Sequence, residues 1–179
     1  MLAQAILFLL EAIVSFLSVV LLLRFFMQAF RVSFNNQLGV FVVELTNWLV
    51  KPLRRVMPGL WGLDLASLLP VFVLQAVLIF ASVSLHAGID VWTQGASGLL
   101  LLWRALLATL RLSLYLLIGA MIVQAVLSWI SPYSPLSQPL GQLTGPFLRP
   151  IQRLLPPVGS IDLSPLIVIV LAQLLLMFL

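Results

Sequence analysis

Residues 51–64 read KPLRRVMPGLWGLD, and residues 149–162 read RPIQRLLPPVGSID. The two stretches align without a gap at a constant shift of 98 residues (150 − 52 and 162 − 64). An apolar run follows each of them. The same shift aligns these pairs: Pro52 with Pro150, Arg55 with Arg153, Pro58 with Pro156, Asp64 with Asp162, and Gln75 with Gln173. We therefore predict two tandem copies of one unit, with this motif as the centre of each.

The amino-acid composition indicates whether water or lipid surrounds the chain. Of its 179 residues 63% are hydrophobic and only 8% are charged, whereas a soluble domain carries roughly a quarter charged residues. Lipid must therefore surround most of the protein. The nine Lys and Arg residues give a net charge of +4. They are spread thinly beside apolar runs, a pattern that suits anionic lipid headgroups better than nucleic acid.

The residue inventory argues against catalysis and cofactors. The chain has no Cys, and His86 is its single histidine, so thiolate sites and multi-histidine sites are excluded within one chain. We expect a non-enzymatic protein without metal or cofactor. His86 is interpreted as an interfacial residue, with a haem or metal ligand as a remote alternative.

Apolar runs predict an all-α membrane protein with four transmembrane helices, near residues 6–26, 67–86, 111–131 and 164–179. Residues 1–92 form the first repeat and 93–179 the second. Each repeat is expected to carry a short amphipathic helix, at 38–50 and 140–148, and a Pro/Gly/Arg loop. The helix at 38–50 lies flat at the membrane interface or packs on the spans. Residues 99–110 are either an interfacial helix or a tilted extension of the third span.

Four spans give both repeats the same orientation, related by a pseudo-two-fold axis along the membrane normal. Most basic residues then lie on the motif side. The positive-inside rule predicts that the motif loops are cytoplasmic and that both termini lie outside. The first apolar run is too long for a signal peptide and lacks a charged start, so we expect it to remain as a span.

The motif residues have structural and functional interpretations. The first proline of each copy is expected to end the amphipathic helix and the second to turn the chain. Ser164 is expected to cap the last helix, with Pro165 as its first residue. Arg55 and Arg153 are expected to pair with the aspartates. The motif residues are Lys51, Pro52, Arg55, Pro58, Asp64, Arg149, Pro150, Arg153, Pro156, Asp162, Ser164 and Pro165.

Three functions are compatible with that motif. It is a clasp that maintains the fold, or a surface that recognises lipid or a partner. Alternatively, Asp64 and Asp162 meet across the axis as a cation or proton site.

Polar residues also occur within the predicted spans: Glu11, Gln75, Arg111, Gln124 and Gln173. Gln75 and Gln173 are equivalent, and hydrogen bonding across the axis would join the helices. Glu11 and Arg111 are expected at similar depth and are predicted to form an ion pair. The alternative is that each extends separately to the interface.

The sequence resembles the YggT family of bacterial membrane proteins, called YlmG-like in cyanobacteria and plastids. The resemblance is carried by PFLRPIQRLLPPVGSIDLSP at 146–165, SWISPYSP at 128–135 and KPLRRVMPGLWGLDLAS at 51–67. The first copy has Ala66-Ser67 where the second has Ser164-Pro165, and it lacks the Ser-Trp pair. The resemblance implies links to osmotic-stress tolerance, ion uptake and, in photosynthetic relatives, nucleoid distribution, division and attachment of a cytochrome cofactor. It also implies a bacterial inner membrane, with periplasmic termini, and no catalytic residues.

Two functional hypotheses follow. The first is a membrane organiser or assembly factor whose motif face recruits anionic lipid or an unknown protein partner. The second is an ion or osmolyte permeation element, which needs a homo-oligomer because four short helices leave little room for a pore. Haem handling is disfavoured by the single histidine and the lack of cysteine.

Overall fold

The computed structural model describes residues 2–57, 64–88, 97–131, 133–154 and 162–179, and these ranges contain helices and connecting segments without strands. The helices are α1 (Leu2–Ala29), α2 (Gln37–Val56), α3 (Leu65–Ala87), α4 (Ser97–Ile130), α5 (Ser137–Leu154) and α6 (Ser164–Phe178). The order apolar, amphipathic, apolar occurs twice along the chain, as α1–α2–α3 and α4–α5–α6.

Three helices are long and apolar enough to cross a membrane, over Gln4–Ala29, Leu65–His86 and Gly98–Ile130. The fourth predicted span, α6, is a shorter apolar helix of 15 residues, which extends roughly 22 Å. These helices expose large apolar side chains, among them Phe8, Ile13, Leu102 and Leu166. An apolar surface on this scale fits a lipid environment.

The third predicted span is longer than the sequence indicated. Helix α4 runs without a break from Ser97 to Ile130, so residues 99–110 continue the spanning helix and are not a separate interfacial one. The break predicted after it is confirmed, because α4 ends at Ile130 and α5 begins at Ser137.

Local backbone interactions explain the reversal between α1 and α2. Arg31 adopts a left-handed conformation (φ 56°). The N–H of Val32 bonds the Met27 carbonyl at 2.8 Å, which is a Schellman ending. Asn36 then caps α2 by accepting the Gly39 N–H at 2.8 Å. A Cβ on Gly39 would lie 2.5 Å from the Phe34 backbone, so this approach requires glycine.

The expectation that Pro52 and Pro150 end their helices is wrong. Helix α2 continues past Pro52 to Val56, and α5 passes Pro146 and Pro150 before ending at Leu154. Buried neighbours, Val50 in α2 and Leu148 in α5, anchor the helices just before these prolines. That packing outweighs the one backbone hydrogen bond each proline removes.

Two helix starts also differ from the sequence expectation. Helix α3 begins at Leu65, before the predicted start of its span near residue 67, so Pro70 lies inside the helix. Ser164 is the first residue of α6 and Leu163 its N-cap, so Pro165 follows the first helical residue.

Three apolar clusters form the core. One joins α1, α2 and α3 through Leu21, Leu22, Val50, Ala66 and Val71. A smaller one joins α4, α5 and α6 through Met121, Leu148 and Val168. The third connects the two halves: Val20, Met27, Val32, Val42, Ala120, Leu140 and Leu143. The amphipathic helices α2 and α5 therefore pack on the long helices, as one of our two alternatives stated, although Trp48 remains 66% exposed.

Candidate functional site

Asp64 is the centre of a buried polar cluster in the first motif copy. It is 2% exposed and lies immediately before α3. Arg54, near the end of α2, contacts it with Nη2 2.5 Å from Oδ2 and Nε 3.3 Å from Oδ1. The Ser67 hydroxyl donates to Oδ2 at 2.7 Å. Arg54 also donates to Gln28 of α1 at 2.9 Å. One carboxylate thus connects three helices.

Arg24 adds a second cation to this region. Its side chain is 4% exposed, and its Nη1 donates to the Thr46 hydroxyl at 2.6 Å and to Asn47 Oδ1 at 3.2 Å. Its buried Nε has no hydrogen-bond partner among the described residues. A buried charge needs compensation, and the Asp64 carboxylate provides part of it through space.

The cluster keeps Asp64 ionised. Burial opposes ionisation, but hydrogen bonds from Arg54 and Ser67, together with the positive charges of Arg54 and Arg24, outweigh it. The pKa of Asp64 is therefore held below its usual value. The carboxylate is a stable anion at neutral pH, as a permanent structural partner for arginine requires.

The second copy has the same outline without the buried cations. Asp162 accepts a hydrogen bond from Gln152 Nε2 at 2.8 Å and one from the Ser164 N–H at 2.9 Å. Partial burial opposes its ionisation, but hydrogen bonds from Ser164 and Gln152 lower the pKa of Asp162 overall. This carboxylate is exposed, in contrast to Asp64.

The expected pairing of the aspartates with Arg55 and Arg153 is wrong by one position. The partners are Arg54 and Gln152, each ten residues before its aspartate. A side chain one position along a helix points about 100° away, so Arg55 and Arg153 face outward. The constant shift of 98 also aligns Arg54 with Gln152. The equivalence of these two polar residues was the signal in the sequence that could have identified the partners of the aspartates.

We call the contacts Arg54–Asp64 and Gln152–Asp162 the clasps. Four other cations lie near them in sequence. Lys51 and Arg55 in α2, and their equivalents Arg149 and Arg153 in α5, are all exposed. The motif therefore separates into two donors that bond the aspartates, Arg54 and Gln152, and four outward cations that form no ion pair within the described ranges.

Both copies contact the last turn of α1 and the residue after it. Gln28 bonds Arg54 of α2, and the Phe30 ring packs edge-on against Phe147 of α5 at 5.6 Å. The exposed cations of α2 and α5 lie within a few residues of these contacts along the chain. Pro58 and Pro156, the remaining motif prolines, lie outside the described residues.

The predicted intramembrane polar residues have varied environments. Gln75 is buried and Gln173 is exposed, and no hydrogen bond joins them within the described parts of the chain. Gln124 instead accepts a hydrogen bond from the Thr144 hydroxyl of α5. Thr144 is equivalent to Thr46, so a threonine in each amphipathic helix contacts a polar side chain of the preceding long helix.

Glu11 and Arg111 line one cavity of about 500 Å³ together with Arg104 and Ser82. They line the same cavity, but the ion pair predicted between them does not form. Within the described ranges, Arg54–Asp64 is the one charge pair closer than 4.0 Å. This cavity lies between α1, α3 and α4, in the halves of those helices remote from the motif.

No contact among the described residues brings Asp64 and Asp162 together, since each has its own donors. The described segments also contain no group of three or more His, Cys, Asp or Glu side chains placed to hold a metal. His86 Nδ1 donates to the Ser82 carbonyl at 2.7 Å, a contact within its own helix.

The helices and the two clasps define a class of protein, the helical membrane proteins built from two units. In each unit a side chain of the amphipathic helix bonds the aspartate that precedes the next helix. The chain belongs to the CCB3/YggT family, whose model matches it twice, over residues 3–85 and 103–179. The two matches agree with two tandem repeats. The family resemblance drawn from the motifs is thereby confirmed.

Named relatives agree with this assignment. The uncharacterized protein YggT of Escherichia coli K12 is 38% identical over 168 residues, covering 92% of this chain and 83% of that protein. The uncharacterized protein PA0392 of Pseudomonas aeruginosa is 35% identical over 164 residues, covering 90% and 81%. A Vibrio alginolyticus relative is 34% identical over 164 residues, covering 91% and 86%. No solved structure matches the chain.

Proposed function

We propose that the protein is a non-enzymatic, multi-pass organiser or assembly factor of a bacterial inner membrane. Its motif face lies at the cytoplasmic surface and binds anionic lipid headgroups, and through that surface it recruits a protein partner. In this proposal the four helices α1, α3, α4 and α6 cross the membrane, and the clasps fix α2 and α5 at the interface.

One observation carries the proposal. In each copy the donor ten residues before the aspartate bonds that aspartate, while Lys51, Arg55, Arg149 and Arg153 are exposed and form no ion pair within the described ranges. A purely structural clasp needs Arg54 and Gln152 but not Lys51, Arg55, Arg149 and Arg153. Exposed cations beside apolar helices are worth about 1 kcal/mol each near an anionic membrane surface, so the four together give a substantial attraction.

The position of the motif supports the same function. Both copies contact the end of α1, through Gln28 and Phe30. Cations brought together there would make one basic surface. Clustered cations attract anionic headgroups more strongly than scattered ones, because their potentials add.

The test uses purified protein in mild detergent and in nanodiscs. A variant carrying K51Q, R55Q, R149Q and R153Q removes the outward cations and keeps both clasps. The matched control, Q152A, removes the donor that bonds Asp162 and keeps all four outward cations. We expect the first variant alone to lose retained anionic lipid and any crosslinked partner, with unchanged helix content.

Two results would contradict the proposal. One is equal retention of anionic lipid by wild type and the four-site variant. The other is a phenotype, such as growth at high osmolarity, that depends on Arg54 and Asp64 but is indifferent to all four outward cations. That result would leave the motif as a clasp and nothing more.

A further inference from the structure

The cavity lined by Glu11, Arg104, Arg111 and Ser82 is a second polar site, separate from the motif face. It has a volume of about 500 Å³. We propose that it binds the headgroup of a zwitterionic phospholipid with a primary ammonium, of the phosphoethanolamine kind. The two arginines hold the phosphate and Glu11 holds the ammonium. The inference does not depend on the proposed function of the motif.

Three helices independently give the depth of this site. A hydrocarbon core is crossed by about 20 helical residues. Counting back from Ala29, the end of α1, reaches Glu11, and counting back from Ile130, the end of α4, reaches Arg111. Counting forward from the start of α3 at Leu65 reaches the region of Ser82. All three side chains therefore lie at the boundary between hydrocarbon and headgroups, opposite the motif.

The charges explain the chemistry of the ligand. Arg104 and Arg111 are seven residues apart, so they lie on one face of α4 about 10 Å apart along its axis. The extra length of α4 carries Arg104 beyond the boundary into the headgroup layer. Two guanidinium groups at these heights are placed to hold a phosphate between them.

Glu11 determines which group the lipid carries beside its phosphate, namely the ammonium. It lines the same cavity but lies within 4.0 Å of neither arginine, because the described residues contain the single ion pair Arg54–Asp64. Charged groups at this depth are costly unless paired. A ligand with both a phosphate and an ammonium gives each of the three side chains a partner of opposite charge. A simple anion would leave Glu11 uncompensated.

The walls suit a lipid better than a free ion. Leu78, Ile79, Val83 and Leu107 complete the cavity lining, and they offer apolar contact for the glycerol and upper acyl carbons. The cavity also has the size of a small-molecule site. A soluble phosphate ion would gain nothing from these walls.

The experiment measures lipid binding by native mass spectrometry of delipidated protein in detergent. The probes are short-chain phosphatidylethanolamine, phosphatidylcholine and phosphatidylglycerol, with inorganic phosphate as competitor. We expect wild type to bind phosphatidylethanolamine about tenfold more tightly than phosphatidylcholine, the effect of one charge-assisted hydrogen bond. Phosphatidylcholine has no N–H to donate to Glu11.

The variants separate the roles of the charges. E11Q should abolish the preference for phosphatidylethanolamine while phosphatidylglycerol still binds. R104Q with R111Q should weaken all three lipids about tenfold or more. The control, R149Q with R153Q, should keep the preference. Single R104Q and R111Q variants serve if the double variant does not fold, as judged by circular dichroism and gel filtration.

Three outcomes would overturn the assignment. If inorganic phosphate displaces the lipid at equal concentration, the site takes a free anion. If wild type shows no headgroup preference and E11R with R111E behaves as wild type, the two residues form their own ion pair in the membrane. If removing both arginines changes no lipid affinity, the cavity is not a headgroup site. None of these results bears on the motif face.

Discussion

Asp64 and Asp162 are equivalent by sequence but differ in what their loss should cost. Asp64 is buried and bonded to Arg54 and Ser67, whereas Asp162 is exposed and bonded to a neutral Gln152. Breaking a buried charge pair costs several kcal/mol, less where one partner is half exposed like Arg54. We expect D64N to lower the free energy of unfolding by about 1–3 kcal/mol, and D162N by under about 1 kcal/mol.

Thermal unfolding in one detergent measures both variants. The control is R54Q, which places the second copy's residue into the first copy. It should destabilise nearly as much as D64N, and R54Q with D64N should cost little more than either alone, because both remove one interaction. Equal effects of D64N and D162N would contradict the distinction between the copies.

The lowered pKa of Asp64 predicts a defined pH dependence. Its folded pKa is below the unfolded value because Arg54, Ser67 and Arg24 favour the anion despite burial. The stabilisation is therefore complete above the ordinary pKa of about 3.9, and is lost as pH falls through the folded pKa. We expect the Tm of wild type to fall below about pH 4.

The matched comparison is D64N, which lacks this titration. Its Tm should fall less steeply than wild type over the same pH range, so that the two curves converge at low pH. D162N should keep most of the wild-type slope. Parallel curves for wild type and D64N would show that Asp64 does not titrate differently in the folded protein.

At the scale of elements, periodicity and composition predicted helix existence well and helix ends poorly. Apolar runs located all three long helices and α6, because lipid-facing helices are apolar all round. The ends of α2 and α5 were missed because buried Val50 and Leu148 hold the chain helical around Pro52 and Pro150. Tertiary packing of this kind leaves no local signal in the sequence.

The candidate site was likewise predicted only in part from the sequence. The repeat identified both aspartates and the motif cations, but the sequence did not show which arginine faces inward. That choice depends on the rotation of α2 about its axis, which Val42, Thr46 and Val50 fix by packing on α1. Sequence reasoning missed Arg24 as a member of the site, because its partners, Thr46 and Asn47, are more than twenty residues away.

The prolines inside α2 and α5 give a prediction at this scale. Each removes a helix hydrogen bond that alanine would restore, so P52A and P150A should raise Tm, by up to about 3 kcal/mol in stability for each site. P165A is the control, because a proline at the start of α6 costs little. A lower Tm for P52A and P150A would mean that these helices require the proline geometry.

At the scale of the whole molecule, permeation is the main rival to the organiser function. A carboxylate bonded to arginine, as Asp64 is, is a poor ion carrier since its charge is already compensated. We expect liposomes containing the purified protein to show no K⁺ or Na⁺ flux above protein-free liposomes. Reproducible flux that D64N with D162N abolishes would establish the paired aspartates as an ion site and reject our interpretation.

The orientation of the repeats gives the last prediction. Val56 at the end of α2 and Leu154 at the end of α5 are equivalent by the shift of 98, and they are 80% and 77% exposed. Parallel repeats place both on one side of the membrane, and the positive-inside rule makes that side cytoplasmic. Because the natural chain has no cysteine, V56C and L154C can each be labelled without background.

An impermeant maleimide should label both cysteines only after the cells are opened. The reference is L99C, which replaces an exposed residue at the start of α4 and should react in intact cells. Labelling of V56C and L154C from opposite sides would mean an inverted repeat. In that case one of α3 and α4 would not cross the bilayer, and the two sets of motif cations could not form one surface.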